Sequence, residues 1–247
     1  MNFAALGKFD LHVHTRYSDG KNTPEEVILA AVARGLDTVG ISDHGYTAHD
    51  LSYCMKKEAI PAYVAEIAAL KEKYAGKIRV LCGIEQDLYS EDFPGLFDYR
   101  IGSVHYVKKD GVYLDVDHSA ANFSAAVQEH FGGDCYAFCE AYYENVAQVA
   151  ERTHADVVGH FDLVTKFNEG GKLFDESHPR YAAAWQAAAD RLLRTCRVFE
   201  INSGAITRGY RTAPYPAPAI REYLTARGAQ WIYSSDAHRA ENVGFIG

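Results

Sequence analysis

The sequence predicts an α/β fold, a distorted barrel of seven parallel strands that alternate with helices. Strand-like apolar segments alternate with helical segments along the whole chain, a pattern typical of parallel sheets. Polar side chains of metal-ligand type follow every predicted strand, as in barrels whose functional site lies at the carboxyl ends of the strands. An open sheet would instead concentrate them at one switch point. Only residues 236–247 follow the last predicted strand, which favours seven strands over eight.

Composition indicates an ordinary globular protein and disfavours several functions. The chain has 247 residues, of which 48% are hydrophobic, so we expect one domain over residues 1–247 with an ample core. The net charge of −8 disfavours nucleic acid as a partner, because backbone phosphates require clustered Lys and Arg. The five cysteines include no CxxC pair, so neither a disulfide framework nor a zinc ribbon is indicated.

The amino-terminal residues lack the basic and apolar regions of a signal peptide. No apolar run reaches the roughly 18 residues that a membrane span requires. We therefore expect a cytoplasmic protein that does not interact with membranes.

The first predicted strand begins at Phe9 and carries an H-x-H pair. Apolar and polar residues alternate from Phe9 to His14, so His12 and His14 project from one face, about 7 Å apart along the strand. The polar turn 15–20 then supplies Asp19. Taken alone, the pair suits either a metal ion or the solvated face of an amphipathic strand.

The first predicted helix begins with a capping box. Thr23 is suited to the N-cap, Pro24 to the first helical position, and Glu26 completes the box. Gly35 is a suitable residue to end the helix. Strands at 37–42 and 78–85 then flank a helix at 61–74, and the strands end in Asp43, His44 and Glu85.

The rest of the chain continues the pattern with longer connections. Strands are predicted at 97–107, 155–162, 196–202 and 229–235, and helices at 123–131, 135–152, 179–194 and 216–227. Residues 110–111 predict a turn. At or near the ends of these strands lie His105, His160, Glu200, Asn202, Asp236 and His238. Glu200 and Asn202 could contact substrate or support the site.

The residues at the strand ends predict a metal centre. Six histidines and up to four carboxylates converge there, enough for two or three divalent ions with a bridging carboxylate. Nitrogen and oxygen donors without thiolate suit Zn, Mn or Fe. The alternative is that each histidine has a separate structural role. That alternative would have to hold for all six histidines, each at the same end of a strand, and is therefore disfavoured. The set comprises His12, His14, Asp19, Asp43, His44, Glu85, His105, His160, Asp236 and His238.

The sequence resembles a known family at six places in order. The segments DLHVHT with SDG, GISDHG, GIEQD, SVH, GHFD and SSDAH resemble motifs of the PHP (polymerase and histidinol phosphatase) superfamily over nearly the whole chain. The segment DYRIGSVHYV, the Asp- and Tyr-rich segment after it, and Tyr142 with Tyr143 look most like the histidinol-phosphate phosphatases. The resemblance implies a distorted (β/α)7 barrel of TIM-like type, the PHP fold, with three metal ions.

The resemblance also implies how the ligands are shared among three ions. One ion would be held by His12, His14, Glu85 and Asp236, a second by Glu85, His105 and His160, and a third by Asp19, His44 and His238. In several members a histidine stands where this chain has Asp19, a departure that affects the third ion. Asp43 is interpreted as a carboxylate that orients a ligand histidine.

The reaction implied is hydrolysis of a phosphate monoester, most specifically of L-histidinol phosphate in histidine biosynthesis. Glu85, Asp236 and His238 are the predicted catalytic residues, and Asp236 or a neighbouring histidine would protonate the leaving group. Water activated at the cluster would attack directly, without a Ser or Cys nucleophile.

Cationic residues on the loops are predicted to bind the phosphate, because guanidinium groups match its oxygens. The candidates are Arg16, Lys166, Arg208, Arg211 and Arg239. Among them, we expect Arg208 or Arg211 to bind the phosphate, with Lys166 assisting. Related phosphatases place an arginine a few residues after the GHFD-type motif, where this chain has Lys166.

Other functions remain open at this point. A PHP enzyme could act on another small phosphate, a nucleotide or a short oligonucleotide, although the acidic composition disfavours nucleic acid. A non-catalytic scaffold would be expected to lose ligands, which this chain retains. An amidohydrolase would require a metal-binding lysine at a middle strand, and none is evident.

Overall fold

Seven parallel strands curve into a nearly closed barrel in the computed structural model, which describes residues 1–245. The strands follow one another around the sheet in chain order. They are β1 (Phe9–Asp10), β2 (Thr38–Ile41), β3 (Arg79–Asp87), β4 (Tyr99–Ser103), β7 (Val157–Val158), β8 (Val198–Asn202) and β9 (Gln230–Ser234). An isolated parallel bridge between Val13 and Ala237 links the two ends of the sheet. The predicted seven-stranded barrel is therefore confirmed.

Helices surround the barrel. They are α1 (Pro24–Ala33), α2 (Ile60–Lys73), α3 (Ala120–Phe131), α4 (Cys135–Thr153), α5 (Pro179–Leu192), α6 (Gly204–Thr207) and α7 (Pro218–Thr225). Short 3-10 turns lie at Phe3–Leu6, Lys57–Ala59, Leu163–Thr165 and Ala240–Asn242. Among residues 1–245, no helix is both long and apolar enough to cross a bilayer.

The capping box predicted for α1 is present. The Thr23 hydroxyl accepts the Glu26 amide at 3.3 Å, and the Glu26 carboxylate accepts the Thr23 amide at 2.8 Å. Both bonds satisfy amides that the first turn of a helix leaves without partners. Gly35 follows the helix with a φ of +69°, as a helix-ending glycine should.

The predicted strand 97–107 is divided in two, which the sequence did not indicate. The chain leaves the barrel after β4 and forms β5 (Tyr106–Lys109), which pairs with the antiparallel β6 (Val112–Asp115). The predicted turn at 110–111 is the tip of this hairpin, and both residues have positive φ, which suits a two-residue hairpin turn. The Asp87 carboxylate accepts the His105 amide at 2.8 Å where the chain turns away.

The first strand is shorter than predicted because side chains replace part of the backbone ladder. The Val13 amide donates to the Ser42 hydroxyl at 3.1 Å, and the Thr15 amide donates to the Asp43 carboxylate at 2.8 Å. The chain therefore stays extended beyond β1 and still holds the H-x-H pair against its neighbours.

The barrel interior is filled at the amino-terminal ends of the strands. Tyr99 is buried, and its hydroxyl donates to the Leu11 carbonyl. A Cβ at Gly40 or Gly83 would lie under 3.0 Å from the Tyr99 ring, so the ring requires glycine at both positions. The interior cluster comprises Leu6, Leu11, Leu81, Tyr99, Ile101, Val157 and Ile232. Two larger clusters lie between the barrel and its helices.

Candidate metal centre

Glu85, near the end of β3, lies at the centre of the polar residues that follow the strands. Its Oε2 lies 2.8 Å from a His44 ring nitrogen, 3.3 Å from His12 and 3.5 Å from His14. Its Oε1 lies 2.9 Å from Nε2 of His160 and 3.4 Å from Nε2 of His105. One buried carboxylate thus contacts five of the six predicted histidines.

Two further carboxylates connect the sixth histidine to this group. Oδ1 of Asp236 lies 3.2 Å from Nε2 of His14 and 3.5 Å from Nδ1 of His238. Asp19 lies 3.1 Å from Nε2 of His238 and 3.7 Å from Nε2 of His44. The structure therefore brings all nine predicted metal ligands together.

The donor atoms fall into three overlapping groups, each within 4.8 Å. The groups are His14, Asp19, His44 and His238; His12, His14 and Asp236; and His44, Glu85 and His105. The first contains the complete set expected for the third ion. The second contains three of the four residues expected for the first ion. The third has His44 where His160 was expected, although His160 contacts the same carboxylate.

Several of these donors are buried without a hydrogen-bond partner among residues 1–245. They are His12 Nε2, both ring nitrogens of His14, Asp19 Oδ1 and Glu85 Oε2. Buried polar atoms ordinarily have partners, because desolvating them is costly. Their contacts with one another lack hydrogen-bond geometry, and imidazole and carboxylate atoms are metal donors. The residues therefore fit a multinuclear metal centre.

Electrostatics in the cluster keeps the carboxylates ionised. Burial raises the pKa of Glu85, but the His44, His12 and His105 rings outweigh burial and hold that pKa well below its ordinary value. Burial, with the His238 and His44 rings, lowers the pKa of His14 to about 3. Metal binding requires ionised carboxylates and neutral imidazoles, which holds for Glu85 and His14. Burial lowers the pKa of His12 and His105, but neighbouring carboxylates outweigh burial and raise that pKa well above its ordinary value, so bound metal ions would replace the protons on these two rings.

Carboxylates behind the cluster hold two of the imidazoles. Glu200 accepts from Nδ1 of His12 at 2.8 Å and from the His160 amide at 2.6 Å. Asp87 lies 3.2 Å from Nδ1 of His105. A carboxylate on the far ring nitrogen fixes the ring's orientation and leaves the other nitrogen for a metal. Glu200 therefore supports the site.

Comparison with known proteins agrees with this geometry. A family model described as the PHP domain matches residues 10–206. The chain belongs to the PHP domain family. A curated relative from Deinococcus radiodurans named "Probable histidinol-phosphatase" is 32% identical over 250 residues, covering 97% of this chain and 89% of the relative.

Two solved structures share the fold of this PHP domain. One from Listeria monocytogenes has a TM-score of 0.80 at 20% identity and covers 96% of this chain and 98% of its own. The histidinol phosphate phosphatase of Lactococcus lactis, complexed with zinc, L-histidinol and phosphate, has a TM-score of 0.67 at 19% identity and covers 94% and 87%. The distorted TIM-like barrel is thus shown by its neighbours.

The metal-ligand cluster of the PHP domain lies at one wall of a cavity of about 260 Å³. Besides the metal ligands, acidic and aromatic side chains line this cavity, which we call the catalytic cavity. They include Asp50, Tyr53, Tyr106, Asp115, Asp117 and Tyr210. Burial and the neighbouring Asp117 raise the pKa of Asp115 to about 6.

Two of the predicted phosphate-binding cations line the catalytic cavity. Arg208 donates to the Asp236 carboxylate at 2.9 Å and lies 3.0 Å from Nδ1 of His238. Lys166 donates to both the backbone and the side-chain oxygens of Asp117 at 2.8 Å. Arg208 is therefore attached to the metal-ligand cluster, whereas Lys166 is neutralised by Asp117.

The structure corrects the other predicted phosphate contacts. Arg211 donates to the Thr165 carbonyl at 2.8 Å and lies 3.6 Å from Glu169. Arg16 is exposed and donates to the Lys21 carbonyl at 3.1 Å. Neither is among the residues that line the catalytic cavity, because each side chain is held by a neighbouring loop. Arg239 lines a different cavity.

The prediction for Asp43 also needs correction. Within the described residues, its carboxylate accepts from the backbone and hydroxyl of both Thr15 and Ser18, with no hydrogen bond to a histidine ring. Asp43 is buried, and four donors satisfy it there. Its role is to hold the turn that delivers Asp19.

Two features of the site were not predicted: Asp87, and the acidic wall of the cavity, by which we mean Asp50, Asp115 and Asp117. Asp87 could have been found, since it follows Glu85 by two residues in one strand and therefore points to the same face. Asp50, Asp115 and Asp117 lie in loops or at the end of the hairpin, where no periodicity indicates a direction. Only the tertiary structure places them beside the metal-ligand cluster.

Proposed function

We propose that this PHP domain hydrolyses L-histidinol phosphate to L-histidinol and inorganic phosphate. The observation that carries the proposal is the convergence of nine metal-type ligands, with Glu85 at their centre and Arg208 attached, at the wall of a cavity that acidic side chains also line. The name of the Deinococcus radiodurans relative and the ligands of the Lactococcus lactis structure support the same substrate.

We assign the metal ligands as three sets that share residues. His12, His14, Glu85 and Asp236 would hold one ion; Glu85, His105 and His160 a second; and Asp19, His44 and His238 a third. Nitrogen and oxygen donors without thiolate suit Zn, Mn or Fe. Bound divalent ions would supply Lewis acidity, a water of lowered pKa and charge to neutralise a phosphate dianion.

The protein's own residues would position the phosphate against this cluster. Arg208 lines the catalytic cavity, and its guanidinium donates to Asp236. Burial raises the pKa of Asp236, but Arg208 and His12 outweigh burial and lower it well below its ordinary value. Asp236 is thus an ionised anchor for Arg208, which can present its remaining donors to a phosphate oxygen as a fork. Glu85 and Asp236 each contact histidines that we assign to different ions, so both carboxylates would hold the three sets together.

The acidic wall distinguishes between substrates. L-Histidinol phosphate carries an ammonium group and an imidazole, both of which can donate to a carboxylate such as that of Asp115. A nucleotide presents no cation to such a carboxylate, and its extra phosphates would be repelled by it. The wall therefore favours a small amine-containing phosphate over a nucleotide or an oligonucleotide.

The test is phosphate release by protein reconstituted with Mn, Zn or Fe. L-Histidinol phosphate, p-nitrophenyl phosphate and a dinucleotide are compared as substrates, and bound metal is counted on the same sample. We expect kcat/KM for L-histidinol phosphate to exceed the other two by about a hundredfold or more, since binding of the amine and imidazole contributes a few kcal/mol.

Faster hydrolysis of another phosphate would retain the chemistry and reject the substrate. Metal-loaded protein that hydrolyses none of the three would reject the enzyme and favour the scaffold. The matched control is Glu91→Gln, which removes an exposed carboxylate paired with Lys57 and should leave both metal content and hydrolysis unchanged.

A further inference from the structure

A second cavity, of about 390 Å³, lies beside the catalytic cavity. Four residues line both of them: Asp19, Arg208, Tyr210 and His238. We call the second cavity the basic chamber, because the side chains that it does not share include Lys21 and Arg239. The two cavities therefore meet at the same few side chains of the metal-ligand cluster.

The side chains that each cavity has besides the metal ligands differ in charge. Lys21 and Arg239 are exposed, and among residues 1–245 neither has an acidic partner within 4 Å; the chamber's one carboxylate, Asp19, instead contacts the cluster histidines. In the catalytic cavity, these side chains include Asp50 and Asp115, together with Asp117, which is paired with Lys166. Fields of this kind sort small ions by sign.

Hydrogen bonds of the backbone fix the two segments, 21–22 and 238–242, that carry residues of the chamber. The Lys21 amide donates to the His238 carbonyl at 2.9 Å, and the Ala240 amide donates to the Asn22 side chain at 2.9 Å. The Asn242 amide donates to the Arg239 carbonyl at 2.9 Å. The backbone of Lys21 and Arg239, the two cations that line only the chamber, is thus fixed next to the metal-ligand cluster.

Arg208 provides the connection between the two cavities. Its Nη2 donates to Asp236 and its Nη1 lies beside His238, while its Nε has no hydrogen-bond partner among the described residues. A guanidinium presents donors in a fixed fork. An anion that moves from the catalytic cavity to the chamber can therefore stay in contact with Arg208 throughout.

We propose that the basic chamber is a second anion site, which holds inorganic phosphate after it leaves the catalytic cavity. The inference rests on the proposed function, which supplies the phosphate. In L-histidinol phosphate the ammonium group offsets part of the phosphate charge, and Asp50 and Asp115 attract that end of the substrate. Hydrolysis separates the two charges, so Asp50 and Asp115 still attract the cationic product whereas Lys21 and Arg239 attract the free phosphate dianion. The two products leave in different directions.

The first test measures binding rather than turnover. Equilibrium dialysis of metal-loaded protein against [32P]phosphate is run on the wild type and on Lys21→Gln/Arg239→Gln. The control, Lys77→Gln/Arg194→Gln, removes the same charge at exposed residues outside both cavities. We expect the first variant to bind one phosphate fewer per chain than the wild type and the control. Equal stoichiometry in all three proteins would overturn the proposal.

The second test measures product inhibition with L-histidinol phosphate as substrate, or with p-nitrophenyl phosphate if that is the better one. Phosphate bound in the chamber while substrate occupies the catalytic cavity should lower Vmax as well as raise the apparent KM. In Lys21→Gln/Arg239→Gln we expect the effect on Vmax to weaken about fivefold or more, since two cation contacts are lost. The competitive effect should change less than about twofold.

Purely competitive inhibition of the wild type would also overturn the proposal. Because dialysis needs no substrate, a protein that fails to hydrolyse L-histidinol phosphate but loses a phosphate site in the variant separates the two inferences. In that case the proposed substrate is wrong and the anion site stands.

Discussion

The two ends of the barrel interior differ in how their buried polar groups are satisfied. At the amino-terminal ends of the strands, the Tyr99 hydroxyl donates to the Leu11 carbonyl, and the Thr38 hydroxyl donates to the Leu6 carbonyl at 2.7 Å. At the carboxyl ends, ring nitrogens of His12 and His14 are buried without partners among residues 1–245. Stability is thus concentrated at one end and reactivity at the other.

Glu85→Gln tests the reactive end and should have the largest effect. The amide cannot bridge cations as the carboxylate can, so we expect bound metal to fall and kcat/KM to drop on the order of a thousandfold. The far-ultraviolet circular dichroism of the variant should remain that of a folded barrel. Full metal content and activity in Glu85→Gln would show that the cluster is organised around another residue.

Gly83→Ala tests the packed end. A Cβ there would meet the Tyr99 ring at under 3.0 Å, and overpacking a closed interior costs up to about 3 kcal/mol. Thermal unfolding should shift down by about 6–12 °C for a chain of this size. The control is Gly76→Ala, where nothing lies within 4 Å of the added Cβ and only the positive φ costs about 1 kcal/mol. Equal shifts for the two variants would contradict the packing argument.

Glu200→Gln sharpens the comparison, because Glu200 lies between the two ends and holds His12 and His160. We expect the affinity for Zn to fall about tenfold to a hundredfold, as for other residues behind metal ligands. Competition with a chelator measures it, and Glu222→Gln on the exposed face of α7 is the control. An unchanged affinity would mean that the His12 ring is oriented by its packing alone.

Asp115→Asn should have the smallest effect of the four variants. It should change KM for L-histidinol phosphate but not KM for p-nitrophenyl phosphate. Losing a charged hydrogen-bond partner for the substrate's cationic half should raise KM for L-histidinol phosphate about tenfold, while p-nitrophenyl phosphate is unaffected. Asp110→Asn at the tip of the same hairpin removes the same charge and should change neither KM. A similar rise for both substrates would place the effect on the phosphate or the metals instead of the amine.

Much of the site could be predicted because parallel strands of a barrel present their carboxyl ends on one side. His12 and His14 share a face by alternation, and Glu85, His105, His160, Asp236 and His238 end or follow strands, so topology alone brings them together. The capping box of α1 could also be predicted, because it involves only Thr23 and Glu26, three residues apart. The division of the fourth predicted strand could not be predicted, because the chain turns away where the Asp87 carboxylate accepts the amide of His105, a residue distant in sequence.

The sequence by itself determined the barrel, the order of its elements and the identity of the metal-type ligands, because these follow from periodicity and strand ends. Tertiary structure alone decided which charges face which cavity. Arg208 reaches Asp236, whereas Arg211, three residues later, is held by the Thr165 carbonyl, and Lys166 is neutralised by Asp117. Loop side chains have no repeating direction, so their partners are set by residues distant in sequence.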